Sequence, residues 1–319
     1  MADHELIVAA LGGNAITQEN QEGNVGEQFV NSRRADGPLA DLIEQGHRLV
    51  ITHGNGPQIG NFLLRNWAAG KVIYPLPMQV AVAHVQGGMG FMIAQTLINE
   101  LTSRGHDRMV TSFVTTVLVD RDDPSFRNPT KPIGRTMLKE DADKLVAERG
   151  WTVKRVSSGK YRRVVPSPLP KRIMEIETIR RSVDAGDLVV ACGGGGIPVA
   201  RDSEGNLRGV RAVIDKDLAS GLLAVELNAD VLLILTAVDC VCIDFGKPNE
   251  REIEKMTVKK AKEWMAAGQF PDGSMGPKIQ GAINFLDASK KPNARVVIAH
   301  LDHAADAMAG RGGTSITKT

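Results

Sequence analysis

Short apolar runs recur along the chain, each ending in a glycine-rich or polar turn. Residues 6–11, 48–52, 109–119, 188–192, 231–236 and 295–299 are apolar on both alternating faces. That pattern predicts strands buried between two layers, as in a parallel sheet. Helix-period segments lie between them at 33–45, 78–104, 172–185, 257–267, 277–288 and 303–309, and a further helix starts at Asp217. Leu218, Leu222, Leu223 and Leu227 form the apolar stripe of that last helix. Gly37-Pro38 places a start or kink in the first helix. The segment 78–104 is apolar on most sides and carries Gly87, Gly88 and Gly90, which makes sense where another backbone packs closely. Strands alternating with helices predict a three-layer αβα sandwich around a mostly parallel open sheet, with ligands at the strands' carboxyl ends.

The pattern breaks at 121–168. Asp122-Asp123-Pro124 and the run Asn128-Pro129-Thr130-Lys131-Pro132 are loop chemistry, followed by a charged helix at 139–149. Two strand-like pieces flank Ser158-Gly159. This stretch predicts a small protruding α+β subdomain inserted into the sandwich.

Composition changes the picture only by exclusion. Lys plus Arg number 39 against 37 for Asp plus Glu, a net charge of +2 that gives no electrostatic footprint for nucleic acid. The basic run Lys160-Tyr161-Arg162-Arg163 is short and reads as a solvated hairpin face. Three cysteines, Cys192, Cys240 and Cys242, make no disulfide framework and fit a reducing compartment. No apolar run is long enough to span a membrane, and that at 6–11 is too short for a signal peptide. The expectation is a cytoplasmic protein with no membrane partner.

Candidate chemistry gathers where strands end. Gly12-Gly13-Asn14, Gly54-Asn55-Gly56 and the uninterrupted run Gly193 to Gly196 each follow a strand. The last run alone fits either a tight turn or a cradle of N–H groups facing an anion. Lys216 beside Asp217 at one helix start, and Lys278 just after Gly273-Ser274-Met275-Gly276-Pro277 at another, favour the cradle. Such parts suit phosphoryl transfer, which asks a protein mainly to position reactants and neutralise charge. An Asp between lysines would hold their ammonium groups in place without acting as a base.

Other motifs fall away. There is no P-loop, Asp244-Phe245-Gly246 lacks every companion of a protein-kinase signature, and Gly12-Gly13-Asn14 lacks dinucleotide spacing. His53 reads as a loop hydrogen-bond partner. His300-x-x-His303 has only Asp302 nearby and reads as no metal site, and Cys240-x-Cys242 reads as structural thiols.

The chain resembles carbamate kinases, within the amino acid kinase fold. The matching residues include Ala10-Leu11-Gly12-Gly13-Asn14-Ala15, Thr52-His53-Gly54-Asn55-Gly56-Pro57-Gln58, Asn128 to Gly134, Val213 to Ser220 and Gly273 to Lys278. They run in order through nearly the whole length. The resemblance implies reversible transfer between carbamoyl phosphate plus ADP and carbamate plus ATP, with Mg2+, in a homodimer serving arginine catabolism. It further implies that residues 1–205 hold the small substrate and 206–319 the nucleotide. Gly12, Gly13, Asn14, Gly54, Asn55 and Gly56 would surround the transferring group, with Gly194 and Gly195 beside them. Lys131, Lys216 and Lys278 would neutralise its charge, and Asp217 would orient two of them. Thr236, Asp239, Met275 and Lys278 would face the nucleotide, and no residue is assigned to a metal. Another acid kinase of the same fold, forming a different acyl phosphate, is the competing reading.

Overall fold

The structure, a computed structural model, describes residues 4–13, 16, 21–70, 72–156, 159–271 and 274–319. In chain order its strands begin with β1 (Leu6–Leu11), β2 (Arg48–His53), β3 (Val110–Ser112), β4 (Thr116–Val119), β5 (Lys131–Met137) and β6 (Val153–Arg155). Next come β7 (Tyr161–Val165), β8 (Pro170–Ile173), β9 (Leu188–Val190), β10 (Ile197–Arg201), β11 (Leu207–Gly209) and β12 (Val231–Thr236). The last are β13 (Val241–Ile243), β14 (Arg251–Ile253), β15 (Lys255–Thr257), β16 (Arg295–His300) and β17 (Thr314–Thr317). The helices are α1 (Val25–Glu44), α2 (Gly56–Ala69), α3 (Met78–Ser103), α4 (Lys139–Arg149) and α5 (Ile176–Asp184). They end with α6 (Lys216–Glu226), α7 (Val258–Ala266), α8 (Met275–Ala288) and α9 (Ala304–Met308).

The main sheet has the order β15-β17-β16-β12-β1-β2-β9-β3 and is parallel except where β17 runs against β16. Its central strands are apolar at every position because each face meets its own core. Ile7, Ala9 and Leu11 of β1 join the core under α1, α2 and α3. Leu6, Val8 and Ala10 join the core under α5, α6 and α8. The three-layer expectation holds, and no helix among the described residues is long and apolar enough to cross a membrane.

Several boundaries differ from the sequence reading for local reasons. The first helix starts at Val25, well before 33, because Asn24 and Glu27 form a capping box there. Pro38 sits inside that helix without ending it, since Ala35, Leu39 and Leu42 are buried around it. The segment 109–119 is two strands in two sheets. Gln86 of α3 breaks it by accepting the Thr115 N–H at 2.7 Å, which would otherwise continue a ladder. The expected helix at 172–185 begins as strand β8, paired with β4, in a four-stranded sheet β11-β10-β4-β8. Residues after the last helix turn back through glycines at positive φ to form β17. Of the two neighbouring cysteines only Cys242 lies in a strand, β13.

The inserted stretch forms the sheet β5-β7-β6 with α4 beside β7. It stands on α2 through a backbone contact. A Cβ on Gly60 would fall 1.9 Å from the Gly134 Cα, so only glycine fits there. The basic run is not a solvated face: Arg162 donates to the Gly134 carbonyl at 2.6 Å, and Arg163 lies 4.3 Å over the Trp151 ring.

One buried group opposes the fold. Asp36 of α1 is 1% exposed, and neither carboxylate oxygen has a hydrogen-bond partner. The neighbouring Thr96 hydroxyl is turned to Ser32 at 2.9 Å. Burial pushes the Asp36 carboxyl up to about 7, with the nearby Glu100 adding to the shift and Thr96 and Arg33 opposing it. The folded chain therefore holds this proton more tightly than the unfolded chain. The resulting stability is full below about pH 4 and is lost as pH rises through about 7. Asp36→Asn is expected to stabilise the protein at pH 8 by on the order of 1–3 kcal/mol and to do nothing of the kind at pH 4. Denaturant unfolding at the two pH values checks it, and equal effects at both would rule it out.

Candidate active site

Strands β1, β2, β9 and β12 deliver their loops to one edge of the main sheet. A Cβ on Gly54 would lie 3.4 Å from the Gly13 backbone and 3.5 Å from Lys216 Cδ, so the first two glycine loops meet beside that lysine. Gly12 donates its N–H to the Leu235 carbonyl at 2.8 Å, and a Cβ there would strike that oxygen at 2.9 Å. Asn14 lies outside the described residues.

The four-glycine run is explained more by space than by free amides. A Cβ on Gly193 would lie 2.2 Å from His53 Nε2, and one on Gly194 2.0 Å from Asn55 Nδ2. Gly194, Gly195 and Gly196 all have positive φ. Gly195 donates its N–H to the Cys192 carbonyl at 2.9 Å, and Gly196 donates to that of Gly193. These two amides therefore face inward. The donors left over come from the second loop. Asn55 is 3% exposed with its Nδ2 unpartnered, and α2 begins at Gly56, whose N–H has no intrahelical acceptor. Both are donors without a protein acceptor among the described residues. His53 is wholly buried, and burial above all holds its imidazole down to about 4, so the ring is neutral at pH 7.

Opposite these donors stand three lysines and two aspartates. Asp217 bridges two of the lysines, taking Lys216 Nζ on Oδ1 at 2.5 Å and Lys278 Nζ on Oδ2 at 3.1 Å. Burial alone would push the Asp217 carboxyl up. Lys216 and Lys278 more than reverse that and hold it well below the ordinary carboxylate range. Burial lowers the Lys216 ammonium, with Lys278 adding to the shift and Asp217 opposing it. Lys278 reaches Asp217 because α6 and α8 touch backbone to backbone. A Cβ on Gly281 would lie 2.5 Å from the Asp217 carbonyl, and one on Gly221 2.7 Å from the Gly281 carbonyl.

The third lysine, Lys131, opens strand β5 in the inserted sheet and ion-pairs with Asp215 Oδ2. The other oxygen of Asp215 caps α6, accepting from the N–H of Asp217 at 2.8 Å and of Leu218 at 3.4 Å. The sequence reading missed Asp215. Its signal was the N-cap preference for Asp one residue before a helix. The cluster carries one net positive charge and keeps its cations within reach of an incoming anion.

Of the nucleotide-side residues, Met275 opens α8 one turn before Lys278. Thr236 ends β12, paired in register with His300. Asp239 lies in the turn after β12, grouped with His300 and His303.

The amino acid kinase family model matches residues 5–300. The carbamate kinase of Pyrococcus horikoshii is 45% identical over 316 residues, which cover 98% of this chain and 99% of that one. The solved carbamate kinase from Giardia lamblia bound to citric acid has a TM-score of 0.93 at 38% identity and matches 100% of both chains. The same enzyme bound to AMP-PNP has a TM-score of 0.91 at 38% identity over the same full lengths.

Proposed function

The chain belongs to the amino acid kinase family, among its carbamate kinases, and from that membership we propose how its residues divide the work. The reaction moves a phosphoryl group between carbamoyl phosphate and ADP, giving carbamate and ATP in the forward sense. A β-phosphate oxygen of ADP attacks phosphorus in line, and carbamate leaves with the bonding electrons.

Asn55 Nδ2 and the start of α2 hold the carbamoyl phosphate side, with Gly12, Gly13 and Gly54 leaving room for its oxygens, and Asn14 is assigned to the same side from its motif alone. Gly194 belongs to the same wall, and Gly195 shapes it. Lys216 and Lys278, fixed by Asp217, take up charge on the equatorial oxygens as the bond shifts. Asp217 is no general base, since both its oxygens are engaged and its carboxyl stays ionised. Lys131 leaves Asp215 for the phosphoryl group once that group is present. Thr236 and Met275 flank the nucleotide, so that residues 206–319 serve ADP and 1–205 the smaller substrate.

Mg2+ fits as part of the nucleotide. The two carboxylates of the lysine cluster are both held by ammonium groups, so the cluster offers no free oxygen ligand. Bound with the nucleotide, the ion would supply neutralising charge beyond the reach of the lysines. The observation that carries the reading is the single buried carboxylate of Asp217 shared by lysines from two helices. A coupled assay for ATP formed from ADP and carbamoyl phosphate tests it. Phosphorylation of acetylglutamate without any turnover of carbamoyl phosphate would move the chain to another acid kinase of the fold.

The working form is a homodimer built partly on α3. Gly90 of that helix packs inside the chain, where a Cβ would lie 2.0 Å from Ser112 Oγ. Gly87 and Gly88 have nothing within 4 Å of that position, and Phe91 beside them is 62% exposed. Two helix-weakening glycines next to an exposed aromatic ring suit the close approach of a second copy. Light scattering is expected to return twice the 34.3 kDa chain mass at micromolar concentration, and the single mass would reject the dimer.

A further inference from the structure

The carboxyl edge of the sheet carries a second group of chemically able side chains on the far side of β12 from the glycine loops. His300 ends β16, His303 follows within the next turn, and Asp239 comes from the turn after the neighbouring strand β12. The three offer one carboxylate oxygen and two imidazole nitrogens that all lie within 4.8 Å of one another. The paired register Thr236↔His300 fixes the distance between the two strand ends that supply them. The sequence spacing showed only the two histidines, because Asp239 lies far away along the chain.

From this juxtaposition we propose that Asp239, His300 and His303 form a binding site for a divalent first-row transition ion of the Zn2+ class. Two imidazoles and a carboxylate are the donor set such ions select, whereas Mg2+ takes oxygen ligands and keeps its water. The site is therefore separate in chemistry from the Mg2+ that travels with the nucleotide. Asp239 and His303 have no hydrogen-bond partner among the described residues, so neither has to be released from one. Tetrahedral ligands at about 2.0–2.1 Å from zinc stand about 3.4 Å apart. Closing from 4.8 Å is a matter of side-chain torsions, and Asp239 and His303 are exposed enough to turn.

A carboxylate for the outer shell lies nearby. Asp302 Oδ2 lies 3.7 Å from His300 Nδ1, and Arg34 holds that carboxylate from the other side. Without metal, Nδ1 accepts the Asp302 N–H at 3.2 Å. Binding at Nε2 would place the ring proton on Nδ1, so a small turn of the ring away from the Asp302 N–H and toward Oδ2 would complete the carboxylate–histidine–metal arrangement. Three protein ligands at an exposed rim leave at least one position for water or a small anion.

The test is a Co2+ titration of the full, tag-free chain in millimolar Mg2+, read by visible absorption. One equivalent is expected to raise the bands of a low-coordinate cobalt site, and Zn2+ is expected to remove them. His303→Ala should weaken binding by about tenfold or more, while ATP formation with Mg2+ stays at its basal rate. The His303 side chain is exposed and makes no hydrogen bond among the described residues, so the variant is expected to fold, and its unfolding curve checks that. Absence of bands at one equivalent overturns the proposal, and so do bands of equal affinity in His303→Ala.

Discussion

Asp217→Asn is expected to lower the turnover of carbamoyl phosphate by about 10²–10³-fold or more while leaving ADP affinity close to normal. The side chain keeps its shape, so the loss comes from charge. In the native site one carboxylate holds Lys216 and Lys278 from two different helices, which sets where both ammonium groups point. The neutral amide can accept from one of them and repels the other with its own N–H groups. Removing one preorganised donor from a transition state is worth the quoted range, and here two move together. There is a second signature. Burial already lowers the Lys216 ammonium and Asp217 opposes that shift. The variant therefore loses the Lys216 proton at lower pH, and the alkaline limb of its kcat profile moves down. Near-normal turnover with poor ADP binding would show that Asp217 serves the nucleotide instead.

Lys131→Ala is expected to lower the rate with carbamoyl phosphate by about a hundredfold or more, again with ADP affinity nearly unchanged. The lysine reaches the site from the inserted sheet and not from the sandwich, so it tests whether that sheet is a lid. Its footing on α2 is set by the Gly60–Gly134 contact, which keeps the approach of β5 in register. If the sheet is a lid, its closure would bring the charge and exclude water together. Lys131→Arg is expected to restore only part of the rate, because a planar fork cannot sit where a compact ammonium does. Steady-state kinetics on both variants, with direct ADP titration, decides the matter. Full activity in Lys131→Ala would sink the lid, and so would an equal loss of ADP binding.

What could be read from the sequence follows the physics of burial. Strands β1, β2 and β12 are covered on both faces, so they stand out as unbroken apolar runs. Helix α3 stands out for the same reason. The second sheet was not legible, because β8 is a short edge piece whose partner β4 lies on the other side of the inserted stretch, and β11 is three exposed residues with no apolar alternation. Helix α2 was hidden by Gly56-Pro57, which reads as loop although proline suits a first helical turn. In the site, the glycine loops and the lysine at each helix start carry local signals. The direction of Lys131 does not. The run around it reads only as loop chemistry, and the partner that holds the side chain inward, Asp215, is 84 residues away.

That partner has a consequence for which anions the protein admits. In the resting protein Lys131 already has a carboxylate on it, and Asp217 occupies the other two ammonium groups. A stray sulfate or inorganic phosphate must therefore compete with an internal counter-ion that is tethered and always present. A single-point oxyanion gains little by that exchange. A substrate that also engages the Asn55 amide and the α2 start gains on both ends, and only it shifts the balance. The two aspartates thus act as resident competitors, filtering ligands by how many places they hold at once.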